Sequence, residues 1–503
     1  MRSTHIIPYA FELQPTLEGK ISGGLPAVFA AEIEVNRVRH DRILRILSTD
    51  KQSMNLPDAN AEVIAADASP LSPPFGEWFG NNWAILHTAA HTSATCTEET
   101  LHGMFRGNYH HPLGSMEQLV EHTDTYSAAP EKIPAFAARY RKYMQLLLSQ
   151  KPPKEQPVCI NWQDPHLFFT EVVKEHASNL AANGYVNTGH LHTSIPPPEM
   201  ASLSKWWNAT LQALSVFRSL YVHTEQGRSS LETQIAAICE RVQRAVPQIK
   251  LFNLGPDHIL IDRFLAESSN GAWEKHVHIG SMDKAQYELM RELVQTKDRG
   301  LHRFLIADRS DPGKGLITYL DAVRVFLEEM PEAERKNYRF FGIHDLIDLS
   351  PTDPYDVKQQ YIGLVQERYS RLQRDFPGIV FSCKSIAKEA LLFAADQDCY
   401  PVTAAADDGL NLVGQEMTKI NAQRGRSRPT IFARGAGFTK ETLRRGGEGL
   451  MLTPEPGNVG SMLHSLREAI RLHTQEPGTV RTMIGALTQR FIDTRRDSVV
   501  VDQ

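Results

Sequence analysis

Twice along this chain, short apolar runs of strand type alternate with longer stretches whose apolar residues recur at helical spacing, and that alternation leaves few folds open. In the first half, VCINW (158–162) precedes the helical FFTEVVKEHASNLAANG (168–184) and the strand-like YVNTGHLH (185–192). A helical stretch ending in SLYVHTEQGRSSLETQIAAIC (219–239) follows. In the second half, HRFLIADRS (302–310) reads as a strand, TYLDAVRVFLEEM as a helix, YRFFGIH as a strand and VKQQYIGLVQERYSRLQRDF as a long amphipathic helix. IVFSC, KEALLFAAD, YPVTA, the helix after Asp408 and TIFAR continue the pattern. Such succession implies parallel sheets covered by helices, so the fold class is α/β. At 503 residues the chain is too long for one core, since single cores stop growing near about 250–300 residues. Two Rossmann-like domains are therefore expected, over 1–285 and 286–480, facing across a cleft, with a C-terminal helix near 480–503 free to pack back on the first. Residues 50–114, rich in Pro, Asn, His and Thr with weak periodicity, read as loops and short elements laid over the scaffold.

Charge and composition exclude several functions. A formal net charge of -5 gives no electrostatic reason to expect nucleic acid or an anionic membrane as a partner, and the basic run QRGRSR (423–428) reads as a solvated loop. No apolar stretch approaches the roughly 20 residues needed to cross a bilayer. The start, MRSTHIIPYAFELQP, has no signal-peptide pattern, so a cytoplasmic location is expected. The five cysteines lack CxxC spacing and read as reduced, and histidine pairs such as His110 and His111 lack the spacing of a zinc site. No metal is expected. No GxGxxG follows a strand, which argues against a dinucleotide-dependent oxidoreductase.

Two segments carry chemistry. In ADRSDPGKG (307–315), Arg309 and Lys314 flank a Gly/Pro turn at a strand end, where both cationic heads can reach one point and grip a diphosphate by charge-assisted hydrogen bonds. In ADDGLNLVGQE (406–416), Gly409 permits close backbone approach. The amides of Leu410, Asn411, Leu412 and Val413 open a helix whose N-terminus favours an anion. Glu416, one to two turns further, is placed to accept the two hydroxyls of a ribose.

Here the sequence resembles glycosyltransferase family 20, which includes the trehalose-6-phosphate synthases and the glucosylglycerol-phosphate synthases. The ordered matches are GGL (23–25), WAILH (83–87), NWQDPHL (161–167), GHLHTSIPPPE (189–199), HTEQGR (223–228), DRSDPGKG and DDGLNLVGQE. The resemblance implies a GT-B architecture and a retaining transferase that uses a nucleoside-diphosphate sugar as co-substrate, with no cofactor and no metal. Arg309 and Lys314 would hold the donor diphosphate, and Asp408 with Gly409 to Val413 the transferred sugar and phosphates. Glu416 would hold the ribose. Gly23, Gly24 and Leu25 would approach the diphosphate, Asp164 would contact the acceptor, and His192 would lie near the reacting centre.

The departures from the family concern the acceptor. Trehalose-6-phosphate synthases grip the acceptor phosphate with arginines in two stretches that here read HIIPYAFEL and FGIHDLID, without Arg or Lys. Tyr9 and His344 do not replace a bidentate guanidinium. His87 stands where that family places a tryptophan, so the acceptor side is expected to be rebuilt around His87, Trp78, Asp164 and His344 for a small polar acceptor such as a polyol, cyclitol, aminocyclitol or sugar. The rival readings are a true trehalose-6-phosphate synthase, a pseudo-glycosyltransferase coupling two cyclitols, and a non-catalytic regulatory subunit. Homo-oligomerisation stays open.

Overall fold

Strands of a parallel sheet are covered on both faces, so they need apolar residues at nearly every position. The computed structural model describes residues 3–8, 42–48, 54–55, 61–65 and 158–163, and from 177 to 494 all except 179, 183, 193–194, 196–197, 199–204, 253–254, 257, 270–276, 278–281, 311, 345–356, 385, 407 and 409. Eight described strands form one sheet: β1 (Ser3–Pro8), β2 (Arg42–Ser48), β3 (Met54–Asn55), β4 (Ala61–Ala65), β5 (Val158–Gln163), β6 (Tyr185–Leu191), β7 (Ser219–Val222) and β8 (Gln248–Leu251). Their order is β3-β4-β2-β1-β5-β6-β7-β8. Every pairing is parallel except that of β3 with β4. Helices α1 (Lys205–Leu214) and α2 (Glu225–Arg241) join β6 to β7 and β7 to β8. Thr224 caps α2 by accepting from the Gly227 amide at 3.0 Å.

Five strands form the second sheet: β9 (His302–Ala307), β10 (Tyr338–His344), β11 (Val380–Lys384), β12 (Tyr400–Thr403) and β13 (Ile431–Phe432), all parallel, in the order β11-β10-β9-β12-β13. The helices of this unit are α3 (His258–Ser268), α4 (Lys284–Gln295), α5 (Leu316–Glu328), α6 (Val357–Asp375), α7 (Lys388–Ala395), α8 (Leu412–Gln423), α9 (Gly437–Arg444), α10 (Val459–Gln475) and α11 (Pro477–Leu487), besides a single turn at Glu332–Arg335. The α/β class and the two Rossmann-like sheets agree with the sequence pattern. Among the described residues no helix is long and apolar enough to cross a membrane.

Four expectations need correction. SLYV (219–222) is strand β7 rather than helix, and its four residues are all buried. Within 50–114, the segment read as loops and short elements, the described elements are the short strands β3 and β4, which pair with each other and, through β4, with β2. The second compact unit takes in Thr95–Pro112 and Gly255–Arg496, so its main stretch begins about thirty residues before the expected boundary at 286. The reason is packing: Ile261 and Phe264 of α3 and Leu289 and Leu293 of α4 share one buried cluster with Leu305, Phe341, Ile343 and Cys383 of the second sheet. At the other end, Leu487, Phe491 and Ile492 pack with Phe432, Phe438 and Met451, so residues 477–492 belong to the second unit rather than to the first.

The fourth correction concerns QRGRSR. Its arginines are not solvated: Arg424 and Arg426 bond Asp396, and Arg428 bonds Asp398 at 2.7 and 3.1 Å. Arg303, fully buried in β9, reaches the Asp398 carbonyl at 3.2 Å and its carboxylate at 3.5 Å. Burial alone would raise the Asp398 pKa, but Arg428, Arg426 and Arg303 outweigh it and hold the carboxyl below its usual range. The run is a clasp across the amino-terminal ends of β9 and β12.

Candidate donor site at a strand-order reversal

In the second sheet the strand order runs one way from β9 to β11 and the other way from β12 to β13, so the connections leave β9 and β12 in opposite directions. A reversal of this kind opens a crevice at the carboxyl ends of the two central strands. β9 delivers Asp308, Arg309 and the turn that carries Lys314 into α5, and β12 delivers Asp408 and Asn411 at the start of α8. The two loops are tied together by the Ala406 amide, which donates to the Gly313 carbonyl at 2.8 Å. Gly315 turns the chain into α5 with φ 63°, and a Cβ there would lie 2.1 Å from the Ala404 carbonyl oxygen, so only glycine fits.

The structure brings Lys314, Asp408, Asn411 and Asp308 into one network. The Lys314 ammonium lies 2.7 Å from Asp408 Oδ2 and 3.3 Å from Asp308 Oδ1, with its side chain only 10% exposed. Asn411 Nδ2 donates to both Asp308 oxygens at 3.2 and 3.1 Å, while its Oδ1 caps α8 by accepting from the Gly414 amide at 3.0 Å. Asn411 sits at φ 56°, a region that asparagine tolerates better than most residues. Burial raises the Asp308 pKa to about 6. Lys314 opposes the rise, the Asp408 charge adds to it, and the Asn411 hydrogen bonds oppose it. Arg309 is exposed beside this network. Leu410, Leu412 and Val413 lie in the same strand-to-helix connection, and Glu416, on α8, is buried in an ion pair with Lys388 at the start of α7.

Sequence reasoning missed Asp308, Lys388 and His223. Asp308 was within reach, since it separates β9 from Arg309 in the motif itself. Lys388 lies 28 residues before Glu416 and meets it only through the packing of α7 on α8.

His344 is turned inward. It is 1% exposed, its Nδ1 donates to the Asp308 carbonyl at 3.1 Å, and its Nε2 meets the Tyr369 hydroxyl of α6. It is a strut under the β9 exit rather than a lining residue. In the first unit His192 follows β6, His223 follows β7 and Phe252 follows β8. His192 Nδ1 is 3.0 Å from His223 Nε2, and His223 Nδ1 is 3.0 Å from the Phe252 carbonyl oxygen. Burial, then the His223 and His190 charges, lower the His192 pKa well below the ordinary imidazole value. Gly23, Gly24, Leu25, Trp78, His87, Asp164 and Gly409 lie outside the described residues. Among the described residues no cluster of His, Cys, Asp and Glu has the arrangement to hold a metal ion.

No protein-family model matches the chain, and no curated protein matches it in sequence. Solved structures match it in fold. The N-terminal domain of Candida albicans trehalose-6-phosphate phosphatase superposes with a TM-score of 0.65 at 13% identity, covering 97% of this chain and 94% of that one. The α,α-trehalose 6-phosphate synthase of Burkholderia multivorans does so with a TM-score of 0.64 at 14% identity, covering 97% and 94%. A trehalose-6-phosphate structure from E. coli, bound with UDP-2-fluoro glucose, gives 0.61 at 13% identity, covering 97% and 96%. The chain thus carries the GT-B fold of trehalose-phosphate synthase structures.

Proposed function

We propose that the chain is a retaining glycosyltransferase that moves glucose or a related sugar from a UDP- or GDP-sugar to a small polar acceptor. The observation that supports this reading is the meeting of Lys314, exposed Arg309 and the starts of α5 and α8 at the strand-order reversal. Cations and helix N-termini at that position suit a diphosphate. In this reading Asp408 and the backbone from 409 to 413 take the transferred sugar and the phosphates, and Glu416 takes the ribose. By the family resemblance alone, Asp164, His87 and Trp78 would contact the acceptor, Gly23 to Leu25 would approach the diphosphate, and His192 would serve the reacting centre.

The reaction asks for positioning and charge stabilisation rather than a protein nucleophile. The acceptor oxygen bonds to the anomeric carbon on the face from which the diphosphate departs. The leaving phosphate oxygen receives the acceptor proton, and Arg309, Lys314 and the helix starts stabilise the negative charge that develops. These groups suffice without a divalent ion, so a chelator such as EDTA is expected to leave turnover unchanged. The absence of Arg and Lys from HIIPYAFEL and FGIHDLID, with His344 engaged under β9, favours an acceptor without a phosphate.

A regulatory, non-catalytic reading draws on a different observation: Lys314 and Glu416 are already paired, with Asp308 and Asp408 and with Lys388. The two readings separate on nucleoside-diphosphate release from UDP-glucose and GDP-glucose, with glucose 6-phosphate or an unphosphorylated polyol or aminocyclitol, products identified by mass. Release with the unphosphorylated acceptor supports the transferase proposed here. Release only with glucose 6-phosphate makes the chain a trehalose-6-phosphate synthase, and silence throughout favours the regulatory reading. Arg309→Ala is expected to lower kcat/KM on the order of 10²-fold or more, because an exposed guanidinium contributes to charge stabilisation and little to the fold. Unchanged donor affinity by calorimetry would remove Arg309 from the site.

A further inference from the structure

Lys388 opens α7 at a place where local electrostatics does not favour a cation. Helix N-termini carry partial positive charge, and Ala387, the cap of α7, offers no side-chain hydrogen bond there. The lysine side chain is nonetheless only 13% exposed, and it reaches across to α8, where its ammonium donates to Glu416 Oε2. Buried ion pairs add little to stability relative to apolar residues of the same volume, so packing α7 on α8 does not by itself require one. Glu416 is 4% exposed, and its Oε1 enters no hydrogen bond or ion pair with a described residue. We infer that Lys388 is a positioning residue that fixes the Glu416 carboxylate through one oxygen and leaves its remaining acceptor positions to the hydroxyls of the donor ribose.

Geometry along α8 suits this role. Glu416 lies four residues beyond Leu412, the first residue of α8, which at about 1.5 Å per residue sets it about 6 Å along the axis. Side chains on a helix lean toward its N-terminus, so the carboxylate leans back toward the end where Lys314, Asp408, Asp308 and Asn411 meet. A ribose joined to a diphosphate at that end falls within its reach. An ionised carboxylate has about four acceptor positions, and Lys388 takes one, which leaves room for two hydroxyls. Holding the carboxylate also removes rotamer freedom before the nucleotide arrives, and such preorganisation favours binding. Lys388 comes to this place because α7 follows β11, whose carboxyl end lies at the same sheet edge as those of β9 and β12. The role rests on the ribose assignment of the transferase reading above.

Calorimetry on the full chain with UDP, GDP and their 2′-deoxy counterparts reads the role, because the missing ribose hydroxyl reports on Glu416. The wild type is expected to bind the ribonucleotide at least about tenfold more tightly than the deoxynucleotide, the size of one hydrogen bond to a charged group. With that hydrogen bond lost, the ratio is expected to fall to within about twofold in Lys388→Met and in Glu416→Gln, while Lys388→Arg keeps most of it. In the Glu416→Gln background, Lys388→Met should change nothing further. A general loosening of the fold would weaken both nucleotides alike and leave the ratio in place. Should Lys388→Met not fold, Lys388→Gln, which keeps a weaker neutral donor, carries the same comparison with an intermediate ratio expected. A ratio lost in Glu416→Gln but intact in the Lys388 variants overturns the role of Lys388 and leaves the ribose assignment standing. A further loss in the double variant makes Lys388 a nucleotide contact in its own right, which also overturns it. A ratio near one in the wild type, or no binding of UDP or GDP, sinks the ribose assignment and the role of Lys388 with it.

Discussion

Lys314 is held 2.7 Å from Asp408 and 3.3 Å from Asp308, so its charge is offset twice before any anion arrives. In the proposed reading a diphosphate would compete for that ammonium, and the protonation of Asp308 would weigh on the competition. The Asp308 pKa is about 6 in the fold against an ordinary value of 3.8. Because the folded value is the higher, the carboxyl favours folding most fully below the unfolded pKa, and that contribution is lost as pH rises through 6. Asp308→Asn removes the titration. The stability of the wild type relative to Asp308→Asn should therefore fall between about pH 4 and 7, by at most about 1.4 kcal/mol per pH unit, as read from urea unfolding at several pH values. A pH-independent difference would mean that Asp308 is not buried against Asp408 as described. The motif disclosed Arg309 and Lys314 because cations flanking a turn are visible in order. That Lys314 is buried in ion pairs and Arg309 exposed was not legible, since burial is a property of neighbours.

At the scale of elements, α8 carries the site. Its N-terminus is capped by Asn411, its first turn lies close against β12 and β13, and Glu416 and Lys419 face different partners. Gly414 is there because a Cβ would meet the Phe432 ring at 2.3 Å and the Thr403 methyl at 2.6 Å. Asn411→Gly keeps the positive φ and loses the side-chain cap, at a cost of a few tenths of a kcal/mol from the cap. Asn411→Ala also strains the left-handed backbone and should cost about 1–2 kcal/mol more. Chemical denaturation compares the two; equal stabilities would show that the backbone at 411 is not left-handed. A helix after Asp408 was legible from composition and periodicity. The opposing segment QRGRSR was misread as solvated because its partners, Asp396 and Asp398, are reached only by the fold.

At the scale of the molecule, the division between units follows from which core consumes each helix. Helices α3 and α4 cover Leu305, Phe341 and Ile343, so a fragment beginning at residue 286 lacks the α3 part of that cluster, and one beginning at Gly255 keeps it. Cooperative thermal unfolding, followed by circular dichroism, is expected for the fragment beginning at Gly255. The shorter fragment should unfold broadly or aggregate, its apolar cluster left open to water. A cooperative transition in both would place the boundary where periodicity alone had put it.

Periodicity and turn chemistry determined the α/β class, the second-sheet strands and the two segments of the candidate site, because each is local: a pleat, a helical stripe or a turn declares itself within a few residues. The tertiary structure alone decided the unit boundary, the ion-paired Lys314, the inward turn of His344, the Lys388 and Glu416 pair and the meeting of His192 with His223. Each of these depends on which strand ends come together, and parallel pairing brings together residues tens to a hundred positions apart, such as Asp308 and Asn411.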